Sequence, residues 1–166
     1  MSALEWWQRG PVPDVPALLQ PVAHMVLQLR DSVPELVGVL TESQWNARPA
    51  GVACAAFHVR HITGVLDRLF TYARGDTLDD AQFADLHAEG DHLAISDVPA
   101  LLRRLDAQVE ASLNALRRCD SATLSDHRAV GRAQLPSTVI GCLVHGGEHG
   151  MRHLGQLAVT VRILRQ

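Results

Sequence analysis

The residues able to do chemistry concentrate in HGGEHGMRHLGQ, residues 145–156. His145, His149 and His153 recur every four residues, and neutral imidazole is a favoured ligand for zinc, nickel and similar ions. On a helix these three and Gln156 fall within an arc of roughly 80°, so they look at one space. His145 and His153 nevertheless lie roughly 12 Å apart along the axis, whereas metal–nitrogen bonds are about 2.0–2.1 Å, so all three cannot share one ion. An i, i+4 pair can. The pair is 145/149 or 149/153, and His149 belongs to either.

A third ligand must come from another element, and FHVRH, residues 57–61, offers His58 and His61 beside Phe57, Ile62 and Val65. One of these with a pair from the 145–153 face makes a three-histidine site with open coordination positions, the arrangement of catalytic rather than closed structural metals. Each glycine of the 145–156 segment costs about 0.5–1 kcal/mol relative to alanine in a helix interior, so some benefit must offset it. Gly146 and Gly150 flank the histidine face and are expected to let a neighbouring backbone approach. Two other metal readings fit less well. HGGEH matches the H-x-x-E-H pattern of inverted zinc proteases, but these need a downstream acidic ligand, and residues 149–166 contain no Asp or Glu. A di-metal bundle needs two Glu-x-x-His motifs, and the single instance, Glu89 to His92, is interrupted by Gly90.

The remaining candidates have weaker claims. His58, one turn before His61, is either a support for the site or a hydrogen-bonded core residue, and His145 lines the cavity if it acts at all. His24 lies in an apolar run and reads as a partly buried polar residue. His87, His92 and His127 lie in polar segments and read as surface. Cys142 shares the histidine face but sits about 10.5 Å before His149 along the axis, which suits a packed thiol.

These residues need elements to carry them, and the composition bounds what those are. A chain of 166 residues that is 47% hydrophobic suits one domain, residues 1–166. Its fifteen basic residues are all arginine and scattered, and the net charge is −3, so no nucleic-acid surface is expected. The start, MSALEWWQRG, has no signal-peptide pattern, and no run of about eighteen apolar residues suggests a membrane span. Cys54, Cys119 and Cys142 form no CxxC pair, which fits reduced thiols in a cytoplasmic protein. Trp6 and Trp7 suggest either a docked N-terminus or a homodimer contact.

Helical periodicity dominates the chain. Residues 16–40 read as a first helix, with Pro21 and Pro34 expected to kink or break it. LTESQWNARPAG is a connection in which Thr41 or Ser43 caps a short turn. A second helix starts near Val52 and stops at Arg74-Gly75, with a glycine stop after a cationic turn. DTLDDAQFADLHAEGDH reads as a short extra helix, solvated and ended by Gly90, whose charges need no functional reading. Asp97 and Pro99 open a third long helix whose stripe Leu101, Leu105, Val109, Leu113 and Leu116 ends at Arg117 and Arg118. CDSATLSDHRAVGRAQLP has no clear period and reads as a loop, followed by a last helix at about 138–164. Four long helices without a strand pattern predict an all-α, antiparallel four-helix bundle with a short extra helix between helices 2 and 3.

At HxxxHxGQ, with a His-Ile pair in the second helix and LTESQWNARPAG before it, the chain resembles the DinB/YfiT-like superfamily of metal-dependent enzymes over residues 15–164. The resemblance implies one divalent ion, zinc or nickel, held by three histidines. Carried over by motif position, these are His61, His149 and His153. His58, His145 and Gln156 would line or support the site, Gln156 as an acceptor for a ligand's second ring proton. Characterised relatives include transferases that use low-molecular-weight thiols such as bacillithiol or mycothiol, and a mycothiol-dependent isomerase. The resemblance therefore implies a small-molecule substrate and Lewis-acid activation of a bound water or thiol, with no protein carboxylate offsetting the ion's charge. A non-catalytic metal- or ligand-binding protein and a metal-dependent hydrolase are the competing readings.

Overall fold

In the computed structural model, which describes residues 4–166, local sequence divides the chain into α1 (Gln20–Val37), α2 (Glu42–Trp45), α3 (Ala55–Arg74), α4 (Asp80–Ala88), α5 (Val98–Arg117) and α6 (Val139–Leu164). The first helix is shorter than its apolar pattern. Pro21 lies in its opening turn, where the absent N–H has no partner to lose, and Pro34 sits one turn before the end at Val37. The α2 turn is closed by Gln44, whose Oε1 accepts from the Thr41 N–H at 2.9 Å, and α3 ends at Gly75 with φ 86°. The short α4 is docked on α3 by Gln82, which donates to Asp67 Oδ2 at 2.8 Å and Thr71 Oγ1 at 2.9 Å.

The fold is mostly helical. Helix α6 packs principally against α3 and α1, and α5 packs against the same two. Their apolar stripes meet in one core that includes Leu29 of α1, Ile62 and Leu66 of α3, Leu105 and Leu113 of α5 and Leu157 of α6. No helix among the described residues is long and apolar enough to cross a membrane. Near the N-terminus, Trp6 is docked on α1, its indole donating to Asp31 Oδ2 at 2.7 Å, whereas Trp7 is exposed.

The 119–136 segment departs from the expected loop. It contains part of a two-stranded antiparallel hairpin, β1 (His127–Val130) with β2 (Leu135–Thr138), in the register His127↔Thr138. Each strand has four residues, Pro136 sits in β2 and Leu135 is exposed, so no alternating pattern marks them. Tertiary contacts stabilise the hairpin instead, with Arg128 Nε donating to the Ala73 carbonyl at 2.8 Å. The hairpin also sets the start of α6. Thr138 Oγ1 accepts from the Gly141 N–H at 3.1 Å, while Val139 and Ile140 donate to the carbonyls of Asp126 and Leu124.

The glycines of α6 work differently from the expectation. Side chains rather than a neighbouring backbone approach them. A Cβ at Gly147 would lie 2.8 Å from Met25 Cε, one at Gly150 would lie 2.6 Å from Leu29 Cδ1, and one at Gly146 would touch Phe70 and Leu69. The missing methyls let α1 and α3 press their side chains against the helix axis. Gly155 has nothing within 4 Å. Gly150→Ala gains about 0.8–1 kcal/mol of helix propensity but forces the fully buried Leu29 to move, at about 1–3 kcal/mol, so a net loss of about 1 kcal/mol is expected. Gly155→Ala should gain about 0.5–1 kcal/mol. Urea denaturation of both variants decides the point, and equal shifts would show that close contact is not what keeps Gly150.

Candidate metal centre

Helix α3 presents His58 and His61 one turn apart, and α6 presents His145, His149 and His153 on its facing side. The packing of α3 on α6 brings His61, His149 and His153 together, each offering one ligand atom within 4.8 Å of the others. His61 Nε2 lies 2.9 Å from His149 Nε2, and the rings of His61 and His153 are 4.3 Å apart. Phe57 stacks on His61 at 5.2 Å and nearly parallel, closing one side. The second group able to surround an ion, His145, Glu148 and His149, is largely exposed, and Glu148 is engaged by Arg152 one turn on. Of the two helix-face pairs left open by spacing, 149/153 is therefore the one that joins His61.

The other candidates separate cleanly. His58 is buried, 3% exposed, and its Nδ1 lies 3.1 Å from His153 Nδ1, so it touches the cluster from behind. His145 is exposed and stands edge-on to His149 at 5.2 Å. Gln156 is exposed on α6 and lines a groove that also reaches His58. His24 is spent on the Gly10 carbonyl at 3.0 Å. His87, His92 and His127 are exposed, and Cys142 is a buried free thiol.

Glu89 is the residue that sequence reasoning missed. It lies in a segment whose composition reads as acidic and solvated, yet it is 5% exposed and its Oε2 accepts from His61 Nδ1 at 2.6 Å. Its other oxygen lies 2.8 Å from Nη2 of Arg68, itself buried. The turn that carries Glu89 is clamped from two sides. Arg60 donates to the Asp91 carbonyl at 2.6 Å, and Asn46 bonds both backbone groups of Leu93 at 2.9 Å. Gly64 leaves the space, since a Cβ there would lie 2.5 Å from Arg68 Nη1 and 2.8 Å from Glu89 Oε1. The only sequence signal was general: a ligating histidine usually gives its second ring proton to a carboxylate or carbonyl, and six acidic residues between 76 and 91 competed for that place.

The electrostatics suit a cation. Burial, then the neighbouring His61 and further imidazoles, pushes His153 down to about 4, and burial followed by His61 also lowers His149 and His58. Burial opposes the charge of Glu89, but hydrogen bonding from His61 and the Arg68 guanidinium hold it below the usual carboxylate value. Neutral imidazoles are the protonation state that metal ligation requires. Two nitrogens bound to one ion at about 2.0–2.1 Å stand roughly 3 Å apart, which is the His61–His149 separation scale. His149 Nε2 faces His61 Nε2 at 2.9 Å, so in the metal-free cluster one of these nitrogens donates to the other, and His149 Nδ1, buried without a hydrogen-bond partner, is the alternative seat for that ring's proton when Nε2 takes a ligand role. The residues fit a divalent ion.

Histidines kept neutral by the fold bind protons more tightly once unfolded. The unfolded chain takes them up from about pH 6.5 downward, while His153 resists to about 4, so native stability present above pH 6.5 is lost as the pH falls through this window. Glu89 acts in the same direction at lower pH. The melting temperature of metal-free protein should fall progressively from pH 6.5 to 4 in thermal scans, and a level value across that range would contradict neutral imidazoles.

No curated protein matches the chain. The family model described as the DinB superfamily matches residues 25–157. That span holds the paired histidines of α3, the Glu89 turn and the HxxxH face of α6, and with four-fifths of the sequence matched, the chain belongs to the DinB superfamily.

Proposed function

We propose that this chain is a metal-dependent enzyme built on an antiparallel four-helix bundle, with one divalent ion, zinc or nickel, held by His61, His149 and His153. The observation that carries this reading is the convergence of three ligand atoms from two helices within 4.8 Å, with burial favouring the neutral forms of His149 and His153. An ion bound by imidazoles supplies Lewis-acid activation, lowering the pKa of a coordinated water or thiol. The protein's own contribution is to hold His61 by its Nδ1 proton, to exclude water with Phe57, and to keep three ligands partly accessible rather than sealed. Glu89 corrects the expectation of a site without carboxylate influence, but Arg68 balances its charge, so the ion's divalent field is largely preserved.

The substrate is proposed to be a small molecule, with a low-molecular-weight thiol as cosubstrate. A largely apolar groove of about 650 Å³, lined by Val52, Val159 and Ile163 together with Arg152 and Gln156, reaches His58 but none of the three proposed ligands, and offers room for a small molecule beside the cluster. The three free cysteines accord with a reducing, cytoplasmic setting.

Elemental analysis of purified protein should give about one divalent ion per chain. His149→Ala should abolish it, whereas His145→Ala should leave most of it bound; full occupancy in His149→Ala would remove the site. Cobalt-substituted protein should gain a thiolate charge-transfer band when a small thiol is added, and the Cys54, Cys119 and Cys142 triple-serine variant should gain it equally. Cobalt-loaded protein that shows no such band at any thiol concentration would leave hydrolysis or simple binding ahead of thiol transfer.

A further inference from the structure

The metal reading names three ligands but leaves open what decides which nitrogen each presents. Neutral imidazole carries one proton, and its position determines which nitrogen has a free lone pair. His61 has both nitrogens in contact: Nδ1 with Glu89 Oε2 at 2.6 Å and Nε2 with His149 Nε2 at 2.9 Å. An ionised carboxylate only accepts, so it requires the proton on Nδ1.

We propose that Glu89, paired with Arg68, is the positioning residue that holds His61 in its Nδ1–H form and aims its Nε2 at the α6 imidazoles. The assignment rests on reading His61, His149 and His153 as a metal site, and it also makes a claim about the metal-free chain. The Arg68 guanidinium lies 2.8 Å from the second carboxylate oxygen and forms an ion pair with it. The pair adds no net charge to the site. Its geometry is built in three dimensions: Gly64 on α3 opens the space, and Arg60 and Asn46 fix the turn on either side of Gly90. His149 has no comparable partner at Nδ1, so His61 is the ligand with an anionic anchor.

Glu89→Gln tests the device without changing its shape. Arg68 attracts the amide oxygen, which leaves the amide NH₂ facing His61 Nδ1 and moves the ring proton to Nε2. Side-chain ¹⁵N–¹H correlation spectra of the metal-free protein at pH 8 should show His61 protonated at Nδ1 in the wild type and at Nε2 in Glu89→Gln. Zinc affinity, measured by competition with a chromogenic chelator, should fall about 10–100-fold. Adding Arg68→Met frees the amide oxygen to accept from Nδ1 and should restore part of both signals, which loss of packing alone would not do. A wild-type spectrum with His61 protonated at Nε2 overturns the proposal, as does a Glu89→Gln protein with wild-type tautomer and zinc affinity. A wild type that binds no zinc instead removes the metal reading, and the tautomer spectra then still decide the role of Glu89. If Glu89→Gln does not fold by circular dichroism, the wild-type spectrum decides alone.

Discussion

The site depends on how closely α3 and α6 approach. Two imidazoles from separate helices meet at 2.9 Å only when the side chains between those helices are small or turned away. Gly146 brings α6 onto Leu69 and Phe70 of α3, while Gly147 and Gly150 receive Met25 and Leu29 from α1 on another side. Each glycine sacrifices about 0.8–1 kcal/mol of helix propensity. The return is close packing along a helix that must hold its histidines at one depth and one rotational phase, because dispersion contacts are lost quickly when a gap opens.

That depth creates an electrostatic problem, which the fold solves without leaving a net charge. Burial, followed by repulsion from neighbouring imidazoles, lowers His58, His149 and His153 and so favours their neutral forms. The buried charges beside them are Glu89 and Arg68, and these cancel. A buried ion pair is weak evidence for stability, since desolvation offsets much of its attraction, although removing one partner is costly. Its presence next to a candidate ligand is better understood through orientation: it gives the His61 proton a single place to go. The cluster then resembles a preformed, partly open receptor for positive charge.

The segments outside the four long helices hold this arrangement in place. The connection before α3 reaches across to the turn after α4 through Asn46, and through Gln44 it donates to the Leu164 carbonyl at the end of α6. The hairpin before α6 feeds backbone and side-chain acceptors to that helix's first turn and is tied to the end of α3 by Arg128. Irregular segments thus fix the ends of both histidine-bearing helices, which limits rotation and sliding of one against the other.

Local sequence determined what local energetics can determine. Periodic apolar residues, proline starts and glycine stops placed α3, α5 and α6, because each signal acts within a turn or two of the chain. Four-residue spacing put the α6 histidines on one face for the same reason and limited one ion to two of them. The hairpin has no local signature because strands of four residues with an internal proline are stabilised by their ladder and by Arg128, which is 55 residues from its acceptor. Spacing also left two helix-face pairs and two α3 histidines open; resemblance to a family selected among them, and helix packing brings the selected three together. His61 and His149 are 88 residues apart, and His61 and Glu89 are 28 apart across a turn. Their meeting depends on the rotation and separation of packed helices, which the shared core sets as a whole. For that reason the acidic segment could be read as solvated from its composition, while only the tertiary structure decided that one of its six acids is buried against a candidate ligand.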